Sequence, residues 1–148
     1  MSEPVITLRE VTDANTAALC ALSVSAEQSA YVVSNTTAIA EASVSAGEWL
    51  QAIYTDDEPA GLCVTRIEAQ AGRYFLWRLM IDQHYQRMGF GRRGLRLVLA
   101  HVRSRPGVGR LQTSFRRGPD GAQGFYEKVG FKETHEDETG EVFAVLEL

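Results

Sequence analysis

The residues best suited to chemistry cluster in the run Gln86-Arg87-Met88-Gly89-Phe90-Gly91-Arg92-Arg93-Gly94. An apolar strand expected over 77–81 and a polar connection over 82–88 precede the glycines. A helix expected over 90–104 follows, because Leu95, Val98, Leu99 and Val102 recur at the spacing of a buried helical face. The glycine turn then forms the start of that helix, where unpaired N–H groups carry about half a positive charge. Gly89 and Gly91 leave bare backbone for a ligand to lie against. Strand, turn and helix together suit a phosphate or pyrophosphate.

The charge distribution points the same way. Residues 83–119 contain no Asp or Glu but nine arginines: Arg87, Arg92, Arg93, Arg96, Arg103, Arg105, Arg110, Arg116 and Arg117. The rest of the chain keeps six of the 15 Lys+Arg and all 19 acids, a split that the net charge of −4 conceals. A basic block at a helix start suits a polyanionic ligand. The acidic remainder suits a cationic one or a solubilising surface. A nucleic-acid reading is disfavoured: no Phe, Tyr or Trp is interleaved with the arginines from Arg92 to Arg110, the pI is about 5.4, and several arginines fall on the solvent side of one helix.

These residues need a scaffold, and 148 residues with 45% apolar content can supply one domain over 1–148 with its own core. The expected elements are a strand over 5–11, a helix over 14–23 capped by Thr12 or Asp13, and a helix over 36–45 capped by Asn35. Residues 26–34 are unassigned. Strands over 48–55 and 60–68 flank the turn Asp56-Asp57-Glu58-Pro59. A second turn at Gln70-Ala71-Gly72 leads to a long strand over 73–82, and the main helix follows. A strand over 110–115, a short helix over 122–129 stopped by Gly130, and a pair of strands over 131–136 and 141–148 complete the chain. The order β-α-α-β-β-β-α-β-α-β-β is an α+β plan with a mixed sheet, antiparallel early and parallel across the main helix. No apolar run is long enough to span a membrane and no signal peptide is evident, so a cytoplasmic protein is expected. Cys20 and Cys63 read as small core residues, and no histidine has a metal-ligand neighbour, so no metal is expected.

Gly89 to Gly94 matches GxGxxG, but a dinucleotide site puts its first glycine directly after the strand and an acid about 20 residues on. Here seven residues intervene and the acid is missing. The run Gln86-Arg87-Met88-Gly89-Phe90-Gly91 instead fits Q/R-x-x-G-x-G/A. Some 35 residues later stands Gly124-Phe125-Tyr126-Glu127-Lys128-Val129-Gly130-Phe131. These two motifs, in this order, resemble the GNAT superfamily of acetyl-CoA-dependent N-acetyltransferases, and the resemblance spans nearly the whole chain. Leu76-Trp77-Arg78-Leu79-Met80-Ile81-Asp82 is similar to the corresponding strand of bacterial spermine/spermidine (diamine) acetyltransferases.

The resemblance implies a GNAT-like α+β fold, a central mixed sheet of about six to seven strands flanked by about four helices. It implies acetyl-CoA as cosubstrate, with the backbone of Leu79, Met80 and Ile81 on the pantetheine arm and thioester carbonyl. The turn from Gln86 through Arg87, Met88, Gly89, Phe90 and Gly91 to Arg92 would cradle the pyrophosphate, and Lys128 would meet the phosphates. Tyr126 would protonate the departing thiolate. Many relatives carry an Asn where this chain has Pro119, followed by Asp120 and Gly121. The pantetheine contact then falls to a backbone group within 113–115, and Asp120 is a candidate cap for the helix over 122–129.

Direct acyl transfer to an amine needs a neutral amine, a stabilised oxyanion and a protonated leaving group. A strand whose N–H groups lack a neighbour, as where two strands splay, can stabilise the oxyanion. No Cys-His or Ser-His pair argues for a covalent intermediate. The resemblance points to a small cationic acceptor of the polyamine or diamine kind. An amino acid, an antibiotic amine or a protein N-terminus, and a non-catalytic CoA-binding sensor, are the alternatives. Acceptor candidates are Glu27, Glu41, Glu48 and Trp77, with Tyr31, Trp49, Tyr54 and Phe75 as pocket aromatics or core. Dimers are common in the superfamily, so a homodimer is an open expectation, with neither nucleic acid nor membrane as a partner.

Overall fold

The computed structural model describes residues 3–45, 47–68 and 71–148; the turn expected at 70–72 therefore lies partly outside the described residues. In chain order the elements are β1 (Ile6–Glu10), α1 (Thr16–Ala21), α2 (Asn35–Val44), β2 (Glu48–Thr55), β3 (Glu58–Glu68), β4 (Arg73–Ile81), a 3-10 turn (Gln83–Tyr85), α3 (Phe90–Arg103), β5 (Arg110–Arg116), α4 (Gln123–Val129), β6 (Lys132–Glu136) and β7 (Glu141–Glu147). The strands form one sheet in the order β1-β2-β3-β4-β5-β7-β6. Neighbours are antiparallel except β4 and β5, which run parallel. The order and the mixed sheet are those expected from the sequence.

The helices divide the core between the two faces of the sheet. On one face, Leu95, Val98, Leu99 and Val102 of α3 pack on Ile53, Tyr74, Leu76, Leu111 and Val142. Each such side chain contributes about 1.5–3 kcal/mol by leaving water. Gly94 lets α3 approach closely: a Cβ there would lie 3.2 Å from Ile53 Cδ1. On the other face, Leu19 of α1 and Ala38 of α2 cover Ala52, Tyr54, Leu62, Val64 and Met80. Cys63 is fully buried, and burial pushes its thiol up to about 12, while Cys20 is only half-buried. Among the described residues no helix is long and apolar enough to cross a membrane.

A bulge in β4 interrupts the regular pairing at the centre of the sheet. Val64 pairs with Arg78 and Thr65 with Leu76, which leaves Trp77 as an extra residue on β4. One extra residue reverses the alternation of a strand. Before it, Tyr74 and Leu76 face α3; after it, Leu79 and Ile81 pack toward α3 while Met80 joins the α1–α2 side. The pairing of β4 with β5 stops at the same place. It holds only Phe75 with Gln112 and Leu76 with Thr113, and Thr113 Oγ1 donates to Leu76 O at 2.9 Å on the last rung. β5 continues alongside β7 as far as Arg116 with Glu141. The two parallel strands therefore splay beyond Leu76.

Local capping differs from the expectation in three places. Ser34, not Asn35, caps α2 by accepting from Thr37 N. Asn35 lies inside the helix, buried, and donates to Leu19 O at 2.8 Å. α1 starts at Thr16, because Thr12 N is held by Asn15 Oδ1 at 2.8 Å and the chain needs that turn first. α4 starts after Ala122 with no side-chain cap, so Asp120 does not cap it.

Candidate active site

The splay opens a cleft of about 410 Å³ at the ends of β4 and β5. Leu79, Met80 and Ile81 form one wall, and Ser114 and Phe115 face them. Along this stretch the β5-side backbone groups of β4 have no strand partner. The glycine turn closes one end. Gly89 caps α3 in the left-handed region (φ 79). A Cβ at Gly89 would meet nothing within 4 Å, so glycine answers the backbone angle there rather than a lack of room. Arg87 also has positive φ, 64, which costs a non-glycine residue about 1–2 kcal/mol. Such strain is kept where the surroundings fix the backbone for a purpose. At Gly91 a Cβ would sit 3.4 Å from Phe125 Cε1, at the edge of the cleft. The first-turn amides of α3 and the side chains of Arg87 and Arg92 border this end.

Not every expected coenzyme contact reaches the cleft. Gln86 does, but its Nε2 donates to Ile81 O and to Gln28 Oε1, both at 2.8 Å. Phe90 also lines the cleft, with its ring buried in the core and tilted against Tyr85. Met88 is exposed and is absent from the lining. Lys128 is exposed on α4 and is also absent from it. Of the nine arginines, Arg87, Arg92 and Arg116 line the cleft. Arg93 instead donates to Pro4 O at 2.6 Å, and Arg117 pairs with Glu133 and Glu136.

Tyr126 stands on α4 inside the cleft and is 6% exposed. Its ring stacks on Phe115 (centroids 5.7 Å apart) and meets Phe125 and Phe131 edge-on at 5.3 Å. Burial pushes its hydroxyl up to about 12, against a smaller opposing effect of the Thr113 hydroxyl beside it. The group stays protonated at any physiological pH. Asp120 and Gly121 line the cleft along with Tyr126.

A second cavity of about 510 Å³ opens on the sheet face that α1 and α2 leave uncovered. It shares Trp77, Arg78, Ser114 and Glu141 with the first, so the two meet at the splay. Its floor includes Phe75 and Phe143, edge-to-face at 6.4 Å. Trp77 lies under two guanidinium groups, Arg66 at 4.3 Å and Arg78 at 4.8 Å. Arg66 pairs with the buried Glu48 at 2.8 Å, Arg78 with Glu41 at 3.4 Å and Arg73 with Glu68 at 3.6 Å. Glu141 pairs with Arg116 at 3.4 Å.

The acceptor candidates thus separate. Trp77, Phe75 and Tyr31 line cavities. Glu41 and Glu48 stand behind the lining arginines, and Glu27 is exposed away from the cavities. Trp49 stacks on His101 at 3.8 Å on the α3 face, and Tyr54 is core under Arg9. Sequence reasoning missed Glu141, Arg78 and Ser114. Their signal was the strand alternation, which puts Ser114, Arg116, Glu141 and Phe143 on one face of β5 and β7, but only once the pairing of those strands is known.

The comparisons with known proteins agree with this geometry. The acetyltransferase (GNAT) family model matches residues 8–131. A probable spermine N(1)-acetyltransferase of Bacillus subtilis subsp. natto is 28% identical over 150 residues, covering 97% of this chain and 99% of that protein. The crystal structure of an acetyltransferase from Thermus thermophilus superposes with a TM-score of 0.75 at 19% identity, over 100% of both chains. Arabidopsis thaliana Naa50, in complex with the bisubstrate analogue CoA-Ac-MVNAL, gives 0.69 at 24% identity, over 95% of this chain and 96% of that one. The family match reaches from β1 to Phe131, past Tyr126 and across both walls of the splay, and the chain belongs to the GNAT family of acetyl-CoA-dependent acetyltransferases.

Proposed function

We propose that the chain transfers an acetyl group from acetyl-CoA directly to a primary amine of a small cationic acceptor of the polyamine or diamine kind. The observation that carries the reading is the splay itself, which joins the cleft holding Tyr126 to the cavity holding Trp77 and Glu141. The unpartnered backbone of β4 and the start of α3 suit the pantetheine arm and the pyrophosphate of acetyl-CoA, with Arg87 and Arg92 at the charged end. Acetyl-CoA supplies the activated thioester. The chain's own groups supply the rest. An N–H of β4 meets the developing oxyanion. Glu141, at the meeting of the cavities, takes the acceptor's proton directly or through water. The neutral amine forms the new N–C bond as the C–S bond breaks; Tyr126 gives its proton to the departing sulfur and regains one from the proton that the new amide nitrogen sheds.

Two features support a cationic acceptor. The Bacillus relative carries the name of a spermine acetyltransferase. The aromatic floor of Trp77, Phe75 and Phe143 beside Glu141 suits an alkylammonium chain, and each arginine of that cavity is already matched by a glutamate. One observation favours a second reading, an amine that also bears a carboxylate. Arg78 lines both cavities, yet its Nε is buried without a partner and its pair with Glu41 is long. A thiol-release assay over spermine, spermidine, diamines, amino acids and short peptides separates the two. On the first reading Glu141→Gln raises KM for polyamines more than Arg78→Met does. On the second the order reverses and only carboxylate-bearing amines turn over. Acetyl-CoA binding with no turnover on any of these amines sinks both.

A further inference from the structure

The linker between α1 and α2, residues 22–34, lies across the coenzyme cleft and is fastened to both of its sides. On the β4 side, Ser23 N donates to Asp82 Oδ1 at 2.8 Å and Gln83 N donates to Ser23 O at 2.9 Å. Further along, Gln28 Oε1 accepts from Gln86 Nε2 at 2.8 Å and from Ser25 N at 3.3 Å. On the β5 side, Tyr31 lies on the loop after the strand: a Cβ at Gly118 would come within 2.7 Å of Tyr31 Cε1, and one at Gly121 within 3.4 Å. Val24, Gln28, Tyr31 and Val32 all face into the cleft.

Gln86 is the informative residue. It opens the glycine turn, where a side-chain amide could have served the coenzyme. A carboxamide has two N–H donors, and both are spent, one on Ile81 O and one on Gln28. The coenzyme turn is thereby bonded to the last residue of β4 and to the linker at a single nitrogen.

We propose that Gln28 is a positioning residue for the acceptor, which it serves by tying the linker to the coenzyme turn through Gln86. Coenzyme phosphates fix the turn, the turn fixes Gln86, and Gln86 fixes the linker, which lines the same cleft as Trp77 and Glu141. The two substrates then bind with positive coupling, and the coupling is reciprocal. This rests on the acetyl-CoA reading above.

The test is hydrogen exchange read by mass spectrometry with and without CoA, together with steady-state kinetics, on the wild type, Gln28→Leu and Gln28→Glu. In the wild type CoA slows exchange at both 86–92 and 22–34. In Gln28→Leu the slowing persists at 86–92 and is lost at 22–34. Acceptor KM rises about three- to tenfold, the range expected for one uncharged hydrogen bond, with kcat within about twofold. Gln28→Glu, whose carboxylate can still accept from Gln86 and Ser25, restores both. The coupling is overturned if wild-type CoA protection stops at 86–92, or if Gln28→Leu keeps linker protection and acceptor KM unchanged. A wild type that binds no CoA at all overturns the acetyl-CoA reading first and this one with it.

Discussion

Removing one oxygen from Tyr126 is the sharpest test of how the splay works. In Tyr126→Phe the ring keeps its place between Phe115, Phe125 and Phe131. The hydroxyl loses only its contact with Thr113, so stability should fall by about 1 kcal/mol or less, about 2–4 °C in Tm for a chain of this size. The chemistry should suffer far more. The hydroxyl stands at about 12, against about 8.5 for an ordinary thiol. Complete proton transfer to a free thiolate would therefore run uphill by about 5 kcal/mol. On the proposed function Tyr126 therefore acts while the C–S bond is breaking, as a buried donor, a setting in which one positioned acid is worth about 10²–10⁴ in rate. We expect single-turnover acetyl transfer to slow by about 10²–10³ in Tyr126→Phe, with acetyl-CoA affinity changed by less than about threefold. Because Tyr126 keeps its proton to about 12, the wild-type rate should rise with pH as the acceptor deprotonates and show no decline near pH 10. A loss of under about fivefold would refute the assignment of Tyr126 as the acid. A basic limb near the ordinary tyrosine value of 10.0, absent from the variant, would refute the argument from burial.

The other predictions concern the turn and its supports. Gly91→Ala should leave Tm within about 2 °C, since the new Cβ meets only ordinary contact with Phe125 at 3.4 Å. It should nonetheless weaken acetyl-CoA binding measured by calorimetry, because the methyl stands at the edge of the cleft. Gly89→Ala should instead cost about 1–2 kcal/mol of stability through its left-handed backbone at φ 79, read as a lower Tm. Asp82→Asn should lower Tm at neutral pH and flatten its fall in acid. Burial alone would raise this carboxyl, but hydrogen bonds from Ser23 and His84 outweigh it and hold the group below 3.8. The stability it confers is complete above that value and is lost as pH falls through the lower folded one. Melting curves between pH 2 and 7 that superpose for wild type and variant would contradict this.

Much of the scaffold was legible because it repeats simple periods. The face of α3 and the glycine turn before it announced themselves, and so did Tyr126 through the run that carries it. The caps were less legible. Ser34 and Asn35 are both good capping residues, and sequence alone does not say that Asn35 is needed one position later to satisfy Leu19 O inside the core. Lys128 and Met88 were placed at the coenzyme by their position in the motifs. In the fold both are exposed. For Lys128 the reason is that α4 turns Tyr126 inward, and residues one or two away on a helix share no face with it.

The acceptor side was illegible for a different reason, and Trp77 shows it. Read as regular alternation, 73–82 puts Tyr74, Leu76, Arg78 and Met80 on one face. Nothing in that pattern marks an interruption. The bulge at Trp77 exists because β3 and β4 slip by one residue between Val64 and Thr65, a property of two strands at once. Its consequences are also shared. It turns Arg78 toward Glu41 on α2, it coincides with the last rung between β4 and β5, and it puts Trp77 and Arg78 where the two cavities join. The proposed catalysis and acceptor choice therefore depend on one irregular residue, whose effect appears only when three strands are laid side by side. The coenzyme side, built from one strand, one turn and one helix in sequence, needed no such alignment.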